Sequence, residues 1–165
     1  MNLFTEQVHS HIMGGPSTCA PYCSGNALAA KQPGPFQIEA AISAVHCKAR
    51  TADDTDWAEI AALYILLEGF HATPAVRVNR AFAVARAHGP AAGLALLEST
   101  DVDGIASYPY VHLVRGTLLG ELSRFEEALR ALRRADEHAE NAHERAQIRS
   151  RIHQLEASAG PEETK

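Results

Sequence analysis

The chain has 165 residues, enough for one domain with a substantial core and too few for two large ones. Hydrophobic residues make up 46% of it but aromatics only 6%, so the apolar content is mostly alanine and leucine; this predicts an all-α fold of closely crossing helices. A net charge of −5 and a pI near 6.0 exclude a domain that holds nucleic acid by itself, because that needs a surplus of lysine and arginine.

Residues 1–33 read as a flexible leader, because Gly14, Gly15, Pro16, Pro21, Gly25 and Pro33 break every periodicity within a few residues. The leader lacks the apolar run of a secretory signal, and no stretch of the chain approaches the roughly 20 apolar residues of a membrane helix. The three cysteines, an odd number, build no disulfide framework. Together these place the chain in a reducing cytoplasm, away from membranes, with Cys47 acting as a small apolar residue in a helix.

A helical-repeat domain is expected over 34–157. Pro35 suits a first helical turn, and Ile38, Ala41, Ile42, Val45 and Ala49 then share one face. Asp56 and Glu59 have the spacing of a capping box for a second helix, whose buried stripe is Trp57, Ile60, Ala61, Tyr64 and Leu67. Pro74 opens a third helix with Val78, Ala81, Phe82 and Ala85 inward, and Gly89 ends it. Pro90 starts a shorter helix carrying Leu94 and Leu97, and Asp101, Asp103 and Gly104 mark a loop. Three more helices are predicted near 108–121, 124–139 and 142–157, with capping boxes at Ser123/Glu126 and Asn141/Glu144. The polar tail from Ser158 to Lys165 is expected to be disordered.

The stretch from Pro109 to Ala142 fits a tetratricopeptide repeat, a helix–turn–helix unit of about 34 residues. Gly116 would allow close approach within the first helix, Phe125 begins the second, and Ala128, Leu132 and Ala135 line the contact. A looser copy lies upstream, where Ala81, Val84, Gly93, Leu94 and Leu97 match Gly116, Leu119, Ala128, Leu129 and Leu132. The predicted architecture is therefore tetratricopeptide-like stacked helix pairs, about seven helices in all. Open apolar ends of such a stack would be capped by the outer helices or covered by a second copy, giving a homodimer.

Candidate chemistry is sparse. His9, His11, Cys19 and Cys23 carry zinc-ligand side chains, but their spacing follows no finger pattern, so no metal or other cofactor is expected. Asp53, Asp54 and Asp56 form an acidic turn better suited to helix capping than to catalysis, and His46 reads as a boundary histidine beside its helix's apolar stripe. No nucleophile with a supporting base and no phosphate loop occurs, which argues against an enzyme. Asp56 and Trp57 are either a capped helix start with a core tryptophan or a surface recognition anchor. Asn79 and Arg80, in mid-helix, are either a hydrogen-bonded fastening between helices or part of a ligand groove. Between Glu121 and Arg151 seven arginines alternate with Glu121, Glu126, Glu127, Asp136, Glu137, Glu140 and Glu144, the pattern of a solvated, salt-bridged surface.

Three groups of residues carry a family resemblance: Gly34-Pro35-Phe36-Gln37-Ile38 with Ala40-Ala41-Ile42 and His46; Thr55-Asp56-Trp57 with Ile60-Ala61 and Leu63-Tyr64; and Pro74, Val76 and Val78-Asn79-Arg80-Ala81. With Gly89-Pro90-Ala91-Ala92-Gly93-Leu94, Asn141, Glu144-Arg145 and Arg151, they resemble the C-terminal extension of one group of bacterial extracytoplasmic-function sigma factors. The resemblance spans about 34–155 and implies a tetratricopeptide-like fold whose role is to modulate transcription initiation through protein contacts. Its implied partners are sigma domains, RNA polymerase or another regulator; the candidate protein-binding residues of the chain are Asp56, Trp57, Tyr64, Asn79 and Arg80. Residues 1–33 do not resemble the sigma domains that precede this extension in the family, so promoter recognition is not carried over. Phe36 stands where tyrosine is usual and Phe82 where a small aliphatic is usual, both changes a core can absorb. A reading from another class is a general adaptor that holds peptides on the repeat and has no tie to transcription.

Overall fold

Four prolines, Pro35, Pro74, Pro90 and Pro109, each open a helix, where the missing N–H costs nothing and the fixed φ is already helical. The computed structural model describes residues 34–51, 53–99, 108–139 and 141–158. Among these there are seven α-helices and no strands: α1 (Pro35–Lys48), α2 (Trp57–Phe70), α3 (Pro74–His88), α4 (Pro90–Ser99), α5 (Pro109–Glu121), α6 (Phe125–His138) and α7 (Ala142–Ser158). They group into two compact units that divide after Ala83, inside α3 and inside the looser upstream copy of the repeat. The leader 1–33, with His9, His11, Cys19 and Cys23, and the tail after Ser158 lie outside the described residues.

In the first unit α1 packs on α2. The predicted stripes hold: Ile38, Ala41, Ile42 and Val45 of α1 and Ile60, Ala61, Tyr64 and Leu67 of α2 are all buried. Ala49 is the C-cap of α1 rather than its last inward residue, because the helix ends at Lys48, and Cys47, two positions past buried Val45, falls on the outer face and is exposed. Asp56 is the N-cap of α2, its Oδ1 accepting from the Glu59 N–H at 2.9 Å. Thr51 Oγ1 donates to Asp54 Oδ2 at 2.8 Å, so the acidic turn serves as a connector. Thr73 Oγ1 accepts from the Val76 N–H at 3.3 Å and caps α3.

The second unit is a chain of adjacent packed helices, α4 on α5, α5 on α6 and α6 on α7, as expected of stacked helix pairs. Gly89, at φ 94°, terminates α3 in the left-handed conformation that glycine adopts without penalty. The α5–α6 contact is built as the repeat pattern requires. Ala128 and Leu132 are fully buried and Ala135 nearly so. A methyl group on Gly116 would sit 2.7 Å from Leu132 Cγ and 3.2 Å from the Ala128 carbonyl oxygen. Thr117, the one buried polar residue among those described, returns its hydroxyl to the Leu113 carbonyl at 2.9 Å.

One predicted cap is placed differently. Ser123 does not start α6; it ends α5, at φ 59°, with its N–H on the Gly120 carbonyl and the Arg124 N–H on the Leu119 carbonyl at 2.9 Å. Those two bonds are a Schellman motif, in which the left-handed position normally belongs to glycine. Arg124 is the N-cap of α6 and makes no side-chain cap bond. Its guanidinium instead holds Glu127 through two bonds, at 2.7 and 2.8 Å. That hydrogen bonding lowers the Glu127 pKa and raises that of Arg124. At the next boundary Asn141 Oδ1 accepts from the Glu144 N–H at 2.8 Å, as predicted.

Two substitutions test this account by urea denaturation. Gly116→Ala is expected to destabilise the protein by about 1–3 kcal/mol, since the methyl would meet a branch carbon and a carbonyl rather than a flexible chain end. Ser123→Gly is expected to stabilise it by about 1 kcal/mol by removing the left-handed penalty on a side chain.

Candidate functional site

The residues singled out from sequence separate into two sets. Asp56 spends its carboxylate on the α2 cap, and Trp57, the first residue of α2, is half-buried rather than a core residue. Its indole meets His46 edge-on at 5.3 Å and Phe82 edge-on at 5.9 Å. Arg80 donates to Glu68 Oε2 at 2.6 Å, and Arg77 Nε lies 3.3 Å from Glu68 Oε1. One carboxylate of α2 thus holds two guanidinium groups of α3 in a partly buried network, and Arg80 is the fastening of the two alternatives.

Tyr64 and Asn79 belong together. Both line a groove of about 630 Å³ in the first unit, walled by Phe36, Glu39, Ala40, Ile42 and Ser43 of α1, Tyr64 and Leu67 of α2, and Thr73, Ala75, Val76 and Asn79 at the start of α3. Ile42, Tyr64 and Leu67 are buried side chains and make the inner part apolar. Asn79 places an amide with both donor and acceptor capacity at its edge. The groove suits a segment with apolar side chains and a polar backbone.

The exposed apolar surface escaped the sequence reading. Phe36 is 80% exposed at the mouth of the groove, not part of a core. On α2, Ile65, Leu66 and Phe70 are each 52% exposed. The signal was present: these three fall outside the stripe Trp57, Ile60, Ala61, Tyr64 and Leu67, so α2 is apolar on more of its circumference than one packed face needs.

Among the described residues no three or more His, Cys, Asp or Glu side chains cluster as a metal site, and no helix is long and apolar enough to cross a membrane. An uncharacterized protein of Rhizobium meliloti (strain 1021) is 44% identical to the chain over 131 residues, which is 79% of this chain and 31% of that relative. The chain therefore spans about a third of the length of the relative it matches. No family model matches the chain, and no solved structure does.

Asp56→Ala separates the capping role from that of an anchor. It should lower stability by about 1 kcal/mol in thermal or urea unfolding while leaving partner capture by the folded protein unchanged. A loss of capture at full folding would instead make Asp56 a contact residue.

Proposed function

We propose that this chain is a non-catalytic protein-interaction domain that modulates transcription initiation, in the manner of the C-terminal extension of extracytoplasmic-function sigma factors. The observation that carries the reading is a convergence: Phe36, Ala40, Ile42, Tyr64, Val76 and Asn79, from three separate stretches that share the resemblance, line one groove. Residues brought together in this way with an open, partly apolar lining suit the docking of a partner segment. The relative from Rhizobium meliloti extends well beyond the matched 131 residues, which leaves room for other domains joined to this one. The contact residues on this reading are Tyr64 and Asn79 with Phe36, while Asp56, Trp57 and Arg80 hold the groove's helices in place.

The test is capture from lysate of the source cell by the tagged full chain, read by mass spectrometry, with the double variant Phe36→Ala/Asn79→Ala in parallel. Recovery of a sigma factor, polymerase core or another transcription regulator is expected, falling at least tenfold with the double variant. Recovery of complexes without any connection to transcription, or capture indifferent to the double variant, would refute the proposal. Neither substitution removes a fully buried side chain, so the variant should keep its helical content.

A further inference from the structure

A second groove, of about 370 Å³, lies in the second unit along α5 and α6. Arg115 of α5 and Arg130, Arg133 and Arg134 of α6 line it, over a floor that includes Leu119 and Ala131. Against these four guanidinium groups stand two lining carboxylates, Glu127 and Glu137. The pairing in and around the groove is unequal. Arg115 is held by Glu98 at 3.0 Å, Arg133 by Glu156 at 3.2 Å, and Glu127 by Arg124. Arg130, Arg134 and the lining carboxylate Glu137 form no ion pair among the described residues, so the unpaired groups of the groove are two cations and one anion, although the chain as a whole is acidic.

Glu140, one of the acids in the expected one-for-one pattern, lies outside the described residues; within them that pairing is not seen at Arg130 and Arg134. They stand four residues apart on one helix face, about 6 Å along its axis. Side chains on one side of an extended chain recur at about 6.6 Å, so carboxylates at alternate residues match that spacing. Each guanidinium can take a carboxylate through two parallel bonds.

We propose that the α5–α6 groove binds an extended acidic segment of a protein partner, with alternate carboxylates on Arg130 and Arg134. The inference rests on reading the chain as a protein-binding domain and adds the chemistry of what is bound. A nucleic-acid strand is disfavoured, because a net charge of −5 repels a long polyphosphate.

The test uses the purified full chain and fluorescence anisotropy with three labelled probes: a short peptide with aspartate at alternate positions, the same peptide with asparagine, and an oligothymidylate. Because it needs no cellular partner, its result is independent of whether the lysate experiment recovers transcription proteins. The aspartate peptide should bind at about 50 mM salt and weaken as salt rises. Arg130→Glu/Arg134→Glu should weaken it at least tenfold, while Arg50→Glu, an exposed charge reversal in the other unit, should change it less than twofold. Circular dichroism melting checks that the double variant, altered only at exposed positions, remains folded. No binding of the aspartate peptide, equal binding of the asparagine peptide or the oligonucleotide, or a double variant that binds as wild type would each overturn the proposal.

Discussion

The second unit depends on how closely α5 can be approached. Gly116 and Gly120 lie four residues apart on one face of that helix, and each leaves space that a neighbouring side chain fills. At Gly116 the occupant is Leu132 of α6, which is fully buried there. One turn later, at Gly120, the nearest atoms to an added methyl would be those of Leu155 from α7, at 3.1 Å, followed by the Ala128 methyl at 3.9 Å. One bare strip of α5 thus receives two successive helices, and the same Ala128 serves both contacts. Small residues do more here than permit a crossing, since they set which side of α5 the following pair must occupy.

That constraint is local in sequence, which is why the helix order, the proline starts and the α5–α6 pairing are legible in the sequence alone. Caps were legible where one residue and its partner three positions on decide the matter, as at Asp56 and Asn141. Ser123 misled because a serine three residues before a glutamate also fits a helix start, while the deciding factor was the α5 carbonyls seeking donors at Gly120 and Leu119. Trp57 and Phe36 misled for another reason. Helical periodicity says which face a side chain shares but not how far the partner helix extends, and both residues lie in the first two positions of their helices. The groove that gathers Phe36, Tyr64 and Asn79 is formed by three helices and has no signature in any one of them.

The arginines show how charge can be read only after packing is known. Between Glu121 and Arg151 the arginines look alike in sequence, each with acids nearby, while Arg77, Arg80 and Arg86 have no acid between Glu68 and Glu98. In the structure Arg77 and Arg80 converge on Glu68, Arg86 reaches Glu121, and Arg145 and Arg149 both turn to Asp136, where Arg145 also donates to the Ala139 carbonyl just beyond α6. These pairs join one helix to another or finish a helix end, so their cations belong to the architecture. Exposed pairs contribute little stability each, but they fix where a guanidinium is and remove it from the set available to a partner.

What remains is informative by subtraction. Glu137 follows Arg133 and Arg134 in sequence, yet no ion pair forms between them among the described residues, since positions three or four apart pair only when both side chains turn toward each other. A groove whose floor is apolar and whose lining sets four guanidinium groups against two carboxylates excludes most ligands by composition: an apolar segment would strand the guanidinium groups, and a basic one would be repelled. The first unit's groove offers different chemistry, an exposed phenylalanine and an apolar lining with one amide that can both donate and accept. On the proposed reading, two grooves of different chemistry would engage two kinds of segment, with a specificity that neither would supply alone.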